Sequence, residues 1–208
     1  MGLAAVNTAA PAGTDQTVTS YDQAVTLFGS GGAEGMAELI RLALKNGASG
    51  VAAVPVASET GYEAAFEQLS EMEDIALVLC GSTDLAVQKK LRDSVVNASK
   101  MRRERLCVVA GAAGESVDEW IARAKELNHE RVVLVAPGGV DGGGAVLSGL
   151  TLAAAVAGAI AGESDPALRG VRSCLVSTAC PPGWRTGTLT GSFWAASPRW
   201  RAWGAWSA

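Results

Sequence analysis

Three short runs, DIALVLC (74–80), RLCVVAG (105–111) and RVVLVAP (131–137), are apolar almost throughout. A strand with one face in water alternates apolar and polar residues. A continuous run needs cover on both faces. The segments between these runs read as helices, so the cover is helical and the strands are parallel.

The rest of the chain fits that alternation. TVTSYDQAVTLFG reads as an extended lead, a Ser20 N-cap and a short helix stopped at Gly29. AEGMAELIRLALKNG places Met36, Leu39, Ile40, Ala43 and Leu44 on one helical face, with Gly47 as the stop. GVAAVPV is a short strand, and TGYEAAFEQLSEME a helix with Tyr62, Phe66 and Leu69 on one side. STDLAVQKKLRDSVVNASKMRRE predicts a long helix capped by Ser82 or Thr83. SVDEWIARAKEL predicts a helix with a capping box, Ser116 paired with Glu119. SGLTLAAAVAGAIAGE is an Ala-rich helix. The expected architecture is α/β, a three-layer doubly wound, mostly parallel sheet with helices on both faces. One α/β domain covers 1–165, followed by an atypical, poorly ordered Trp/Arg-rich tail over 166–208.

Composition divides at the same place. The 208 residues are 49% apolar and 18% charged, which is a globular balance. All 21 acids lie at or before Asp165 beside 12 of the Lys and Arg, whereas 166–208 holds five Arg and no acid. Five of the six Trp, at 184, 194, 200, 203 and 206, also fall in that tail.

Groups that could do chemistry are sparse. The four cysteines show no CxxC spacing and there is one histidine, so no metal site is assigned. Cys80 and Cys107 sit in strand runs as small core residues. MGLAAVNTAAPAGT lacks a basic region and an apolar core, a poor secretion signal, and Val6 breaks the myristoylation pattern. The uncharged stretch 142–162 is mostly Ala and Gly, and reads as a helix on a sheet rather than a membrane span.

VAPGGVDGGG, Val135 to Gly144, raises a phosphate cradle as an alternative to a turn. It lacks the Lys and Ser/Thr of a Walker A loop, and it follows a late strand rather than the first. GSGGAEG misses the dinucleotide fingerprint because Glu34 stands at its third glycine. His129 falls between a helix and the amino end of a strand, away from where such sheets bind ligands. Glu71, Glu73 and Asp74 read as a solvated helix end. Lys100 to Arg105 reads as a helix C-terminus, where cations suit the dipole, rather than a nucleic-acid patch. No catalytic, cofactor-binding or metal residue is assigned, and neither nucleic acid nor membrane is expected as a partner.

Several stretches taken in order carry a resemblance: TVTSYDQAVTLFG, LIRLALKNGASGVAAVPV, GYEAAFEQLSEMEDIALVLC, VQKKLRDSVVNASKMRRERLCVV, LNHERVVLVAPG and LAAAVAGAIAGESDPAL. Over roughly 15–168 the chain resembles bacteriophage contractile tail sheath proteins, including those of R-type pyocins. The resemblance implies a structural protein, not an enzyme, with no cofactor. It implies a homo-oligomer that self-associates into a helical sheath and meets tail tube and baseplate proteins. It places the protein in the virion tail sheath of a phage or prophage, and in the host cytoplasm before assembly. Sheath subunits join through terminal arms that add strands to neighbours. Here the sequence starts almost at the domain, so a missing or very short N-terminal arm is expected.

After about residue 168 the resemblance stops. Arg, Trp, Gly and Ser dominate, as GC-rich DNA yields in a wrong frame. Codons can be chosen so that the neighbouring frame reads ARGEVLPGLDGLSARLAD, which restores acids and spaced leucines. The expectation is a truncated or frame-shifted product; a divergent tail with exposed aromatics is the other reading. Two further readings stay open: a small Rossmann-like nucleotide-binding enzyme using the Gly138–Gly144 loop, and an α/β interaction domain without a phage link.

Overall fold

The structure is a computed structural model and describes residues 1–140 and 146–163. Six strands form one sheet in the order β2-β3-β1-β4-β5-β6. They are β1 (Gly2–Val6), β2 (Gln16–Val18), β3 (Val51–Val56), β4 (Leu77–Cys80), β5 (Leu106–Ala110) and β6 (Val132–Val135). All pairings are parallel except the edge strand β2, which runs antiparallel to β3. The three apolar runs are β4, β5 and β6, as their pattern requires. The sequence reading missed β1, which lies at the centre of the sheet. GLAAV carries two alanines and a glycine where strands usually hold β-branched or aromatic residues.

Both faces of the sheet are buried, and alternate residues serve opposite cores. Leu3, Ala5, Leu77, Leu79, Val108 and Ala110 meet one set of helices: α1 (Tyr21–Phe28), α2 (Met36–Lys45) and α6 (Gly149–Ala161). Ala4, Val78, Cys80, Cys107 and Val109 face the other set: α3 (Tyr62–Glu71), α4 (Leu85–Lys100) and α5 (Val117–Leu127). This is the three-layer arrangement that the alternation predicts.

Pro55 sits inside the sheet, where a missing N–H normally breaks a ladder. Ala52 N–H donates to Met1 C=O, so the even-numbered residues of β3 point their amides at β1. Pro55 points the other way, beyond Gln16, where β2 has already ended. No ladder bond is lost.

The helix ends follow local chemistry, with one correction. Ser20, Ser116 and Ser148 cap α1, α5 and α6, and both bonds of the Ser116–Glu119 capping box form. The cap of α4 is Asp84, whose carboxylate accepts from Ala86 N, not Ser82 or Thr83. Ser82 is turned to Glu59 instead. On α2, Leu42 is buried along with the expected face, and Leu44 is half-buried.

The small residues of α6 bring it against α2. A Cβ on Gly158 would lie 2.2 Å from the Ala43 carbonyl oxygen, and one on Gly162 2.6 Å from that of Gly47. The Ala-rich sequence is therefore a contact surface within the fold. Among the described residues, no helix is long and apolar enough to cross a membrane. Gly158→Ala should cost about 3 kcal/mol, because backbone cannot yield as a flexible side chain would. Urea denaturation monitored by circular dichroism measures the loss.

Candidate functional site

Counted alone, the five parallel strands follow the order 2-1-3-4-5. Doubly wound sheets of this order bind ligands outside the carboxyl ends of the strands, where the order reverses. Here that point lies between β1 and β4, so the residues after Val6 and Cys80 form the first place to look.

The crevice is closed by backbone. Gly81 N–H donates to Ala4 C=O at 2.7 Å. A Cβ on Gly81 would fall 2.5 Å from the Ala5 side chain. Beside it, Asn7 spends its side chain locally: Nδ2 donates to Phe28 C=O at 2.8 Å, and Oδ1 accepts from Ala9 N and Ala10 N.

Next to this point lies a polar network that joins four segments. Ser82 Oγ donates to Glu59 at 2.7 Å and accepts from Asp84 N. Gln88, fully buried on α4, donates to the carbonyls of Ser82 and Ala110 at 3.1 and 2.8 Å. Its own oxygen accepts from Arg123 Nη1 at 3.0 Å, and the same nitrogen reaches Thr83 C=O at 2.9 Å. Arg123 Nε and Nη2 both bind Glu115. Glu115 also accepts from Ala112 N at 2.9 Å. All three nitrogens of this buried guanidinium are engaged within the chain, so it has little left with which to hold a phosphate.

Sequence reasoning did not find this network. The signal was a Gln inside the apolar stripe of α4, beside Leu91 and Val95, and an Arg four residues before the buried Leu127. A polar residue on a buried helix face is normally partnered, but which partner it takes depends on strand order.

The glycine loop turns partly onto its own chain. Gly139–Val140 (β7) pairs antiparallel with Val146–Leu147 (β8), and residues 141–145 lie outside the described residues. A Cβ on Gly138 would lie 2.0 Å from Leu147 C=O. This glycine is thus required by close backbone approach.

The remaining candidates are dispersed. His129 follows α5, and its Nδ1 accepts from Arg131 N at 3.2 Å. Glu71, Glu73 and Asp74 sit exposed at and after the end of α3. The run Lys100 to Arg105 is not one helix end. α4 stops at Lys100, and Arg102 adopts a left-handed φ of 62°. Arg103 and Arg105 reach across to the last carbonyls of α3, at Ser70 and, for Arg105, also Leu69 and Met72. The basic run therefore ties β5 to α3. Among the described residues, no three His, Cys, Asp or Glu side chains group as metal ligands. A cavity of about 10 Å³ between α3 and α4, walled by Phe66, Leu91 and Arg105 among others, has room for about one water.

Burial pushes the Cys80 thiol up to about 12 and raises that of Cys107 as well. Neither is a nucleophile near neutral pH.

Neither a family model nor a curated protein matches the sequence. Solved structures do. The sheath tail protein of Desulfitobacterium hafniense superposes with a TM-score of 0.61 at 13% identity, over 77% of this chain and 58% of that one. The sheath tail protein of Listeria innocua gives 0.57 at 12%, over 78% and 56%. The helical sheath of the anti-feeding prophage in its contracted state gives 0.55 at 15%, over 78% and 46%. The chain carries the tail-sheath fold. It spans about half the length of the solved sheath proteins. The tail-sheath fold here is a doubly wound sheet whose ligand edge is filled by its own residues.

Arg123→Ala should destabilise by about 3 kcal/mol, since it strands the Glu115 carboxylate and the Gln88 amide in a buried setting. For a chain of this size the melting temperature should fall by roughly 10 °C. In thiol labelling of the native protein, Cys80 and Cys107 should stay unmodified near neutral pH and react once the chain is unfolded. Modification of either at the rate of a free thiol contradicts the burial described.

Proposed function

We propose that this chain is the α/β domain of a contractile tail sheath subunit. The observation that carries the reading is the shared fold with three sheath structures. The ordered motifs across roughly 15–168 agree with it. In this role the protein is mechanical. Copies self-associate into a helical sheath around a tail tube, above a baseplate, and rearrangement of the array drives the tube through a cell envelope. The protein catalyses no reaction and needs no cofactor. Its place is the virion tail sheath, after synthesis in the cytoplasm of a bacterial host.

The composition of 166–208 supports a further part of this reading. Five Arg, five Trp and no acid follow a body that holds every acid in the chain. We infer that the coding frame shifts near residue 168, and that this product does not polymerise into regular sheaths unaided. In-frame sequence continuing the sheath pattern in the neighbouring frame of the coding DNA supports the shift; immediate stop codons there refute it.

A nucleotide-binding enzyme built on Gly138–Gly144 is the competing reading. A thermal-shift screen with nucleotides separates the two: the sheath reading predicts no shift, and a saturable rise in melting temperature with any nucleotide favours the competitor. Neighbouring genes for tube and baseplate proteins are expected beside the coding sequence.

A further inference from the structure

α5 is anchored to the body along one side. Arg123 and Leu127 are the residues buried on it, Arg123 binding Glu115, Gln88 and the Thr83 carbonyl, while Glu126 meets Lys89. The opposite side of the helix carries Val117 and Ile121, 50% and 45% exposed, with Ala122 exposed between the turns. Two charges complete this stripe. Asp118 stands in the first turn and Lys125 in the last. They are seven residues apart, two turns, so they share one face. Neither has an ion pair among the described residues.

That arrangement is complementary to itself. Each charge already suits its own helix dipole, acid at the amino end and base at the carboxyl end. When two such helices lie antiparallel, 118 comes opposite 125 of the other copy and 121 comes opposite 122. Ile121 and Ala122 then form an apolar centre, with an Asp118–Lys125 pair at each end. A two-fold contact needs this property: the same patch on both partners, with residue i meeting j and j meeting i.

We propose that the outer face of α5 is a two-fold docking surface for a second copy of this chain, zipped by reciprocal Asp118–Lys125 pairs around Ile121. The inference rests on the described fold and not on the sheath reading. A stripe of one 11-residue helix is small beside a standard interface, so the dimer is weak and transient. Its exposed ion pairs make it sensitive to salt.

Sedimentation equilibrium of the full chain at low salt tests this. The wild type should show a monomer–dimer equilibrium that added salt weakens. Asp118→Lys and Lys125→Asp each place like charges opposite one another, and each should raise the dimer dissociation constant about tenfold. The double variant D118K/K125D should recover wild-type association. An equimolar mixture of the two single variants should associate as well, because each then offers the charge the other needs. Circular dichroism checks that all variants remain folded. Loss in the single variants with recovery in the double variant and in the mixture establishes the contact. Equal association in all four proteins, growth beyond a dimer, or failure of the double variant to recover overturns it.

Discussion

Both faces of β1, β4 and β5 are closed to water, and the rest of the molecule follows from that. Each of these strands sends one residue into the core beneath α1, α2 and α6 and the next into the core beneath α3, α4 and α5. A strand used this way has no solvent side, so polar groups are displaced to its ends and to the helices. The helices must then lie close. Gly158 and Gly162 let α6 reach the backbone of α2, and Arg103 and Arg105 bind the last carbonyls of α3.

The same constraint shapes the carboxyl edge. In a doubly wound sheet this edge normally serves a ligand. Here the loops after β4 and β5 are tied down by Gln88, Arg123 and Glu115, and Gly81 lies directly on β1. A buried ion pair contributes little net stability against an apolar substitute, but it is costly to break. Its effect is to fix the positions of two loops and of α5. The edge is thus occupied by internal partners.

Much of this was legible in the sequence. Continuous apolar runs at 74–80, 105–111 and 131–137 define buried strands without reference to anything else, and the Ser20 and Ser116 caps locate two helices. β1 was not legible, because Gly2, Ala4 and Ala5 carry no strand signal of their own. At Gly2 neighbours leave little room: an added Cβ would lie 3.1 Å from Leu69 and 3.3 Å from Ile75. The α4 cap was misplaced because Ser82, Thr83 and Asp84 are all good caps; the choice is made by Glu59, which draws Ser82 away. The Arg123 network was hidden for a similar reason: Glu115 is near in sequence, but Gln88 and Thr83 lie 35 and 40 residues away and are brought to Arg123 by the packing of α4 beside α5.

The central claim is that the switch point between β1 and β4 is occupied by the protein's own groups. A high-resolution crystal structure grown with excess phosphate or nucleotide tests it most directly. The account predicts that Arg123 stays bound to Glu115, Gln88 and Thr83, with Gly81 against Ala4. A guanidinium turned outward onto an anion, with the loop after Cys80 lifted from β1, would contradict it.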